Sequence, residues 1–126
     1  MARNYKNLDV WQLSYQLTLK MYKVTENFPK SEQNNLTSQI RRASTSIPLN
    51  IAEGTSRFTK KSYLQFLQYA YGSIKELQVL LDLSKDLNYI KKESYNELNE
   101  DMDILSRKLF VFMKTVERED FFNWFR

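Results

Sequence analysis

Cysteine and histidine are absent from this 126-residue chain, and glycine and proline occur only twice each. Each absence closes off chemistry. Without Cys and His the chain cannot build zinc fingers, thiol nucleophiles, Cys-ligated iron–sulfur centres, Ser-His-Asp triads or His-based acid–base catalysis. No disulfide can form, so nothing in the sequence requires an oxidising compartment. So few glycines and prolines leave little turn chemistry, which argues against a sandwich or barrel of many short strands. Two glycines cannot make a phosphate-cradling loop, and the E-x-x-H di-iron motif is impossible. Long apolar runs are missing as well. Stretches such as Val79-Leu80-Leu81 fall far short of the ~18–20 residues needed to span a bilayer. The opening MARNYKNLDVWQ lacks an apolar core and is not a secretory signal. A cytoplasmic protein with no membrane association is expected.

What is present is a core-forming composition: 42% hydrophobic, with 18 aromatic residues and 19 Lys+Arg against 15 Asp+Glu. The length fits one domain, and apolar spacing organises it into four helices. Val10, Leu13, Leu17, Met21, Val24 and Phe28 recur in steps of three and four, predicting a first helix over about 9–28. Asp9 is placed to cap it, and Pro29 ends it by excluding helical geometry from the residue before. Ser31 is the N-cap candidate of a second helix over about 31–54, with the stripe Leu36, Ile40, Ala43, Ile47, Ile51. Pro48 interrupts the stripe without breaking its phase, so a single kinked helix is expected. Pro48 also deprives the Ser44 carbonyl of its partner, at roughly 3 kcal/mol in isolation. Ser46 or Asn50 could satisfy the groups so freed. Gly54 suits a left-handed C-terminal cap.

Thr59 is placed to cap a third helix over about 60–87, with the stripe Tyr63, Leu67, Ala70, Ile74, Leu77, Leu81, Ser84. A second row (Phe66, Tyr69, Leu80, Leu83, Leu87) widens its apolar face. Gly72 inside it costs ~1 kcal/mol relative to Ala, which suggests close approach of a neighbouring helix. After a loop at 88–92, a fourth helix over about 92–118 carries Leu98, Met102, Leu105, Leu109, Phe112 and Val116. Acidic residues crowd its first half and basic ones its second, which complements the helix dipole. The tail 119–126 holds Phe121-Phe122-Asn123-Trp124-Phe125, too aromatic to stand in water without cover. The expected architecture is all-α: an antiparallel up-down-up-down four-helix bundle in one domain, 1–126.

Charge is distributed unevenly. Residues 1–61 hold ten Lys+Arg and four Asp+Glu, whereas 62–126 hold nine and eleven. The candidate nucleic-acid-binding residues are therefore Arg3, Lys6, Arg41, Arg42, Arg57, Lys60 and Lys61. Arg57, Lys60 and Lys61 gather at one inter-helix turn, where the N–H groups at 59–61 begin a helix and could receive a phosphate. The alternative is a solvated face with internal salt bridges. A modest positive charge becomes a strong field when copies of it are gathered in an oligomer. Trp11, Tyr15 and Tyr22 form a second apolar row on helix one, and Phe110 and Val111 add to helix four, so self-association is expected to cover them. Asn50 and Glu53 on the polar side of helix two are further interface candidates, with Arg41 or Arg42 paired to Glu53 or Glu76. Carboxylate pairs such as Glu100/Asp103 and Asp82/Asp86 lie on polar helix faces and are ordinarily solvated. No catalytic residue, metal site, cofactor or small-molecule substrate is expected.

Helix two carries a recognisable pattern. The run Leu36-Thr37-Ser38-Gln39-Ile40-Arg41-Arg42-Ala43, then Ser46-Ile47-Pro48, then Asn50-Ile51-Ala52-Glu53-Gly54 resembles the four-helix-bundle family encoded in intervening sequences of bacterial large-subunit rRNA genes. Leu8-Asp9-Val10-Trp11, Asn27-Phe28-Pro29 and Gly72-Ser73-Ile74-Lys75-Glu76-Leu77 fit the same pattern. The likeness covers about residues 5–118 and leaves the aromatic tail outside. It implies an antiparallel bundle assembled as a ring-like homopentamer, without known enzymatic activity. Relatives include the accessory protein of diversity-generating retroelements, a basic pentameric barrel that binds nucleic acid and a reverse transcriptase. It also implies that Arg41, Arg42, Pro48, Asn50, Glu53 and Gly54 are signature positions. The resulting expectation is a non-catalytic homo-oligomer that binds RNA or DNA. The alternative is a protein-interaction scaffold or accessory subunit without nucleic-acid contact.

Overall fold

A computed structural model describes residues 4–119. Four long helices, α1 (Asp9–Thr25), α2 (Leu36–Thr55), α3 (Lys60–Asp86) and α4 (Lys92–Arg118), follow one another, with short 3-10 turns at Tyr5–Asn7 and Lys30–Glu32. Among the described residues there is no strand, and no helix is long and apolar enough to cross a membrane. Successive helices pack antiparallel and α4 closes against α1, which leaves α1 and α3 at opposite corners. The inward stripes meet in one core whose fully buried members include Met21, Ile40, Ile47, Ile51, Tyr63, Leu67, Ile74, Leu77, Leu81 and Met102. Each such side chain contributes about 1.5–3 kcal/mol by leaving water.

The helix ends differ from expectation where side chains intervene. α1 stops at Thr25, not near 28: the Glu26 N–H returns to the Lys23 carbonyl at 3.2 Å and the Phe28 N–H to the Thr25 carbonyl at 3.1 Å, tight closures that turn the chain before Pro29. Phe28 still reaches the core, against Tyr89. α2 begins at Leu36, not Ser31. Residues 30–32 form a tight 3-10 turn, and the Glu32 carboxylate accepts from the Leu36 N–H at 3.4 Å. Asp9 is not a cap. It lies inside the first turn, α1 has no side-chain cap, and Asp9 accepts from Lys108 at 2.8 Å. Thr59 does cap α3, accepting from the Ser62 N–H at 3.1 Å. Beyond α3, Asn88 adopts φ 64°, and the Tyr89 N–H returns to the Ser84 carbonyl at 2.9 Å. That is the left-handed closure asparagine tolerates.

The close approach expected at Gly72 occurs at Gly54 instead. Gly54 is not a left-handed cap. It is helical and buried, and a Cβ built there would sit 2.8 Å from Tyr63 Cδ1 and 3.3 Å from Phe66 Cβ. Its missing side chain is what lets α3 approach α2. Gly72 is exposed, and a Cβ there would meet nothing within 4 Å. No neighbouring helix of this chain comes near it.

α2 continues through Pro48 as one helix. The carbonyl left over, that of Ser44, accepts from the Thr18 hydroxyl of α1 at 2.9 Å, a single proton shared with the Ser14 carbonyl at the same distance. Ser46 and Asn50 do something else: the two serine hydroxyls Ser46 and Ser73 bond across α2 and α3 at 2.7 Å, and Asn50 Nδ2 donates to the Ser46 carbonyl at 2.8 Å.

Candidate functional site

The outward face of α2 forms the floor of a groove of about 840 Å³, walled by Tyr22 of α1 on one side and Phe66 of α3 on the other. The sequence places these groups together by helical spacing. Ser38, Arg41, Arg42, Thr45, Ser46, Leu49, Asn50 and Glu53 follow one another at one to four residues, turning away from the buried Ile40, Ala43, Ile47 and Ile51. Arg57, just past the helix, closes one end.

The three arginines are held to different degrees. Arg41 lies with its guanidinium carbon 4.7 Å from the Tyr22 ring centroid. It donates through Nε to Thr25 Oγ1 at 2.9 Å and through Nη2 to the Tyr22 carbonyl at 3.3 Å. It therefore satisfies a carbonyl at the C-terminus of α1, where a cation also complements the helix dipole. Arg57 pairs with the Glu53 carboxylate and stacks on Phe66, 4.5 Å from the ring centroid, which leaves its Nε buried without a partner. Arg42 is exposed and takes part in none of the described ion pairs or hydrogen bonds. Glu53 is the single acid among the lining residues, so three cations face one anion. Hydroxyls and amides occupy the floor between them.

Of the described residues expected to bind nucleic acid, Arg41, Arg42 and Arg57 share this groove, and Lys6, Lys60 and Lys61 do not. Lys60 turns away from it and donates to the carbonyls of Glu117 and Glu119, tying the end of α4 to the start of α3. Lys61 is exposed on α3, Lys6 is exposed beside the first 3-10 turn, and Arg3 lies outside the described residues. The phosphate site expected at 59–61 loses its lysine: α4 takes Lys60, while the Thr59 hydroxyl accepts from the neighbouring Ser62 N–H. Of the expected interface residues, Tyr22, Asn50 and Glu53 line the groove, while Trp11 and Tyr15 stack on each other at 4.9 Å further along α1. Glu53 is paired with Arg57, not with Arg41 or Arg42, because the turn after α2 brings Arg57 back over it. Glu76 enters no described ion pair. The aromatic residues 121–125 lie outside the described residues.

Leu49 and Phe66 are groove residues the sequence reading did not assign to a site. Leu49 is 63% exposed; its only sequence signal is an apolar residue one step off the buried stripe. Phe66 shows itself in the second row of α3, as part of a widened apolar face.

Three ionisable groups outside the groove are displaced. Lys20 is raised, chiefly by its bond to Asp101 and with Glu97 helping, which joins α1 to α4. Tyr89 is raised by donating to Glu32 and Tyr95 by donating to Asp82 at 2.6 Å. Among the described residues no group of three or more acids is disposed to hold a metal ion.

A family model described as 23S rRNA-intervening sequence protein matches residues 6–111, which contain the whole groove. Among solved structures, the chain is similar to a Bacteroides thetaiotaomicron VPI-5482 protein described as having unknown function and coming from the S23 ribosomal protein family. The two are 25% identical with a TM-score of 0.75, over 83% of this chain and 98% of that one. No curated protein matches the chain.

Proposed function

Since the chain belongs to the 23S rRNA-intervening sequence protein family, we propose that it is a non-catalytic, homo-oligomeric bundle, pentameric as the resemblance implies, that binds RNA or DNA in the cytoplasm through the α2 groove. The observation that carries this reading is the convergence of Arg41, Arg42 and Arg57 on one concave face with Glu53 as the only opposing acid. Guanidinium groups present paired N–H donors that match phosphate oxygens, and the serine, threonine and asparagine between them can donate to the same backbone. One groove is a weak polyanion site. Several copies arranged about an axis multiply it, which is why assembly and binding belong to one proposal.

The test is a salt titration with short RNA and DNA. Affinity falls with salt at a slope of about −0.9 per neutralised phosphate on duplex DNA, or about −0.7 on single strands. Arg42→Ala reduces that slope by roughly one contact and leaves the helical content unchanged. Absence of binding at low salt by the assembled protein overturns the nucleic-acid reading and leaves a protein-interaction scaffold, for which exposed Leu49 and half-buried Phe66 would be the anchors.

A further inference from the structure

Two helix faces of this chain are apolar, exposed and uncovered by the bundle. On α3 the residues Tyr69, Gly72, Glu76, Val79 and Leu83 recur at steps of three and four, on the side opposite the buried Ala70, Ile74, Leu77 and Leu81; Val79 is 66% exposed. On α1 the residues Tyr15, Leu19 and Tyr22 do the same opposite Ser14, Leu17 and Met21. A three-four stripe on each side of one helix is the spacing of a helix packed on two neighbours. Within the bundle α2 and α4 both pack on the inner side of each of these helices, and the outer stripe is left without a partner among the described residues.

Gly72 sharpens this. A glycine in mid-helix is unfavourable, and here nothing among the described residues occupies the space its side chain would take. Its use is to admit something from outside. The charges say what. Glu76 lies one turn after Gly72 and Lys23 one turn after Leu19, and neither takes part in a described ion pair. Asp86 is a further exposed acid at the edge of the α3 stripe, whereas Asp82 and Lys20 are engaged toward α4 by Tyr95 and by Glu97 and Asp101.

We infer that the α3 face of one subunit packs against the α1 face of a second copy, Leu19 over Gly72 and Lys23 beside Glu76. The occupant is a second copy because the two faces match in register: an apolar or vacant position followed four residues later by a charge, of opposite sign on the two helices. In an up-down-up-down bundle α1 and α3 run the same way, so copies related by rotation about the bundle direction present them in parallel. The two faces are different surfaces at opposite corners, so the contact is head-to-tail and each subunit engages two others. This locates the self-association proposed above, on which it rests. It moves the interface toward α3 and leaves Asn50 and Glu53 open to the groove's ligand, with Tyr22 at the border of the two surfaces.

The experiment uses the full chain and light scattering, with far-UV circular dichroism to confirm folding. Val79→Asp and Leu19→Asp change exposed positions and are expected to give single subunits of unchanged helicity. Mixed together, they restore one intact junction, α1 of the first against α3 of the second, and give a one-to-one dimer that grows no further. Lys23→Glu weakens assembly at least tenfold, and Lys23→Glu with Glu76→Lys restores it, since the swap re-pairs the charges. Assembly by both Asp variants at the mass of the unmodified chain overturns the location while leaving homo-oligomerisation standing. A mixture that stays monomeric overturns the head-to-tail contact. An unmodified chain that is itself a single subunit overturns both this contact and the oligomeric part of the proposed function; nucleic-acid binding is read separately, in the salt titration.

Discussion

Thr18→Val tests how this bundle tolerates a proline in mid-helix. Ser44 is fully buried, and its carbonyl has lost the donor that residue 48 would normally supply. The Thr18 hydroxyl, 2.9 Å away, stands in for it. Valine keeps the shape of threonine and deletes the donor, leaving a buried acceptor unpaired at a cost of about 1–3 kcal/mol. At a urea dependence of about 1–3 kcal/mol/M, the unfolding midpoint falls by roughly 1 M. The decisive measurement is a double-mutant cycle with Pro48→Ala. Alanine restores the N–H to Ser44, so Thr18→Val in that background should cost only a few tenths of a kcal/mol, and the two sites should couple by about 1–2 kcal/mol. Unfolding is followed at one fixed protein concentration, because association shifts apparent stability. An equal cost of Thr18→Val in both backgrounds refutes the reasoning: threonine would then be serving its own helix, through Ser14, and not its neighbour's proline.

The glycines give opposite outcomes. Gly54→Ala forces a Cβ onto the buried Tyr63 ring and lowers stability by about 1–3 kcal/mol, read as a drop in Tm. Gly72→Ala, made in the Val79→Asp subunit, raises stability by about 1 kcal/mol, whereas in the unmodified chain it weakens assembly. Lys60→Met removes the donor at the carbonyls of Glu117 and Glu119 and accelerates amide hydrogen exchange over the last turn of α4, with under about 1 kcal/mol of global effect. Alkaline pH loosens the bundle: Lys20, Tyr89 and Tyr95 all titrate above their usual values. Their contribution is therefore complete below about pH 10 and lost as pH rises through the folded-state values. Tyr95→Phe should flatten that decline in a denaturation series from pH 8 to 11.

The bundle was legible because the inward stripes are long and regular; every expected helix exists, and the bounds of α4 agree at both ends. What spacing does not encode is what a polar side chain does across helices. Asp9 has the chemistry of a cap, but Lys108, ninety-nine residues later, claims it. Pro48 announces an orphan carbonyl, yet the donor lies on another helix, and local reasoning looked to Ser46 and Asn50. The glycines were misread for the same reason. Gly54 sits near a helix end, where a cap is the local explanation, and Gly72 sits mid-helix, where packing is. Only the position of α3 decides between them. The groove was half legible: the arginines could be named from charge asymmetry, but Lys60 was drawn in by proximity in sequence, and its length lets it reach α4 instead.

Arg41 is a clasp as well as a lining residue. Its guanidinium fastens the last turn of α1 to α2, so any polyanion that recruits it fully must unfasten that turn and break its bonds to Thr25 Oγ1 and the Tyr22 carbonyl. Arg42 carries no such obligation. Occupancy of the groove is thus graded, with a first, undemanding hold at Arg42 and a second that is won only by relaxing the joint between two helices.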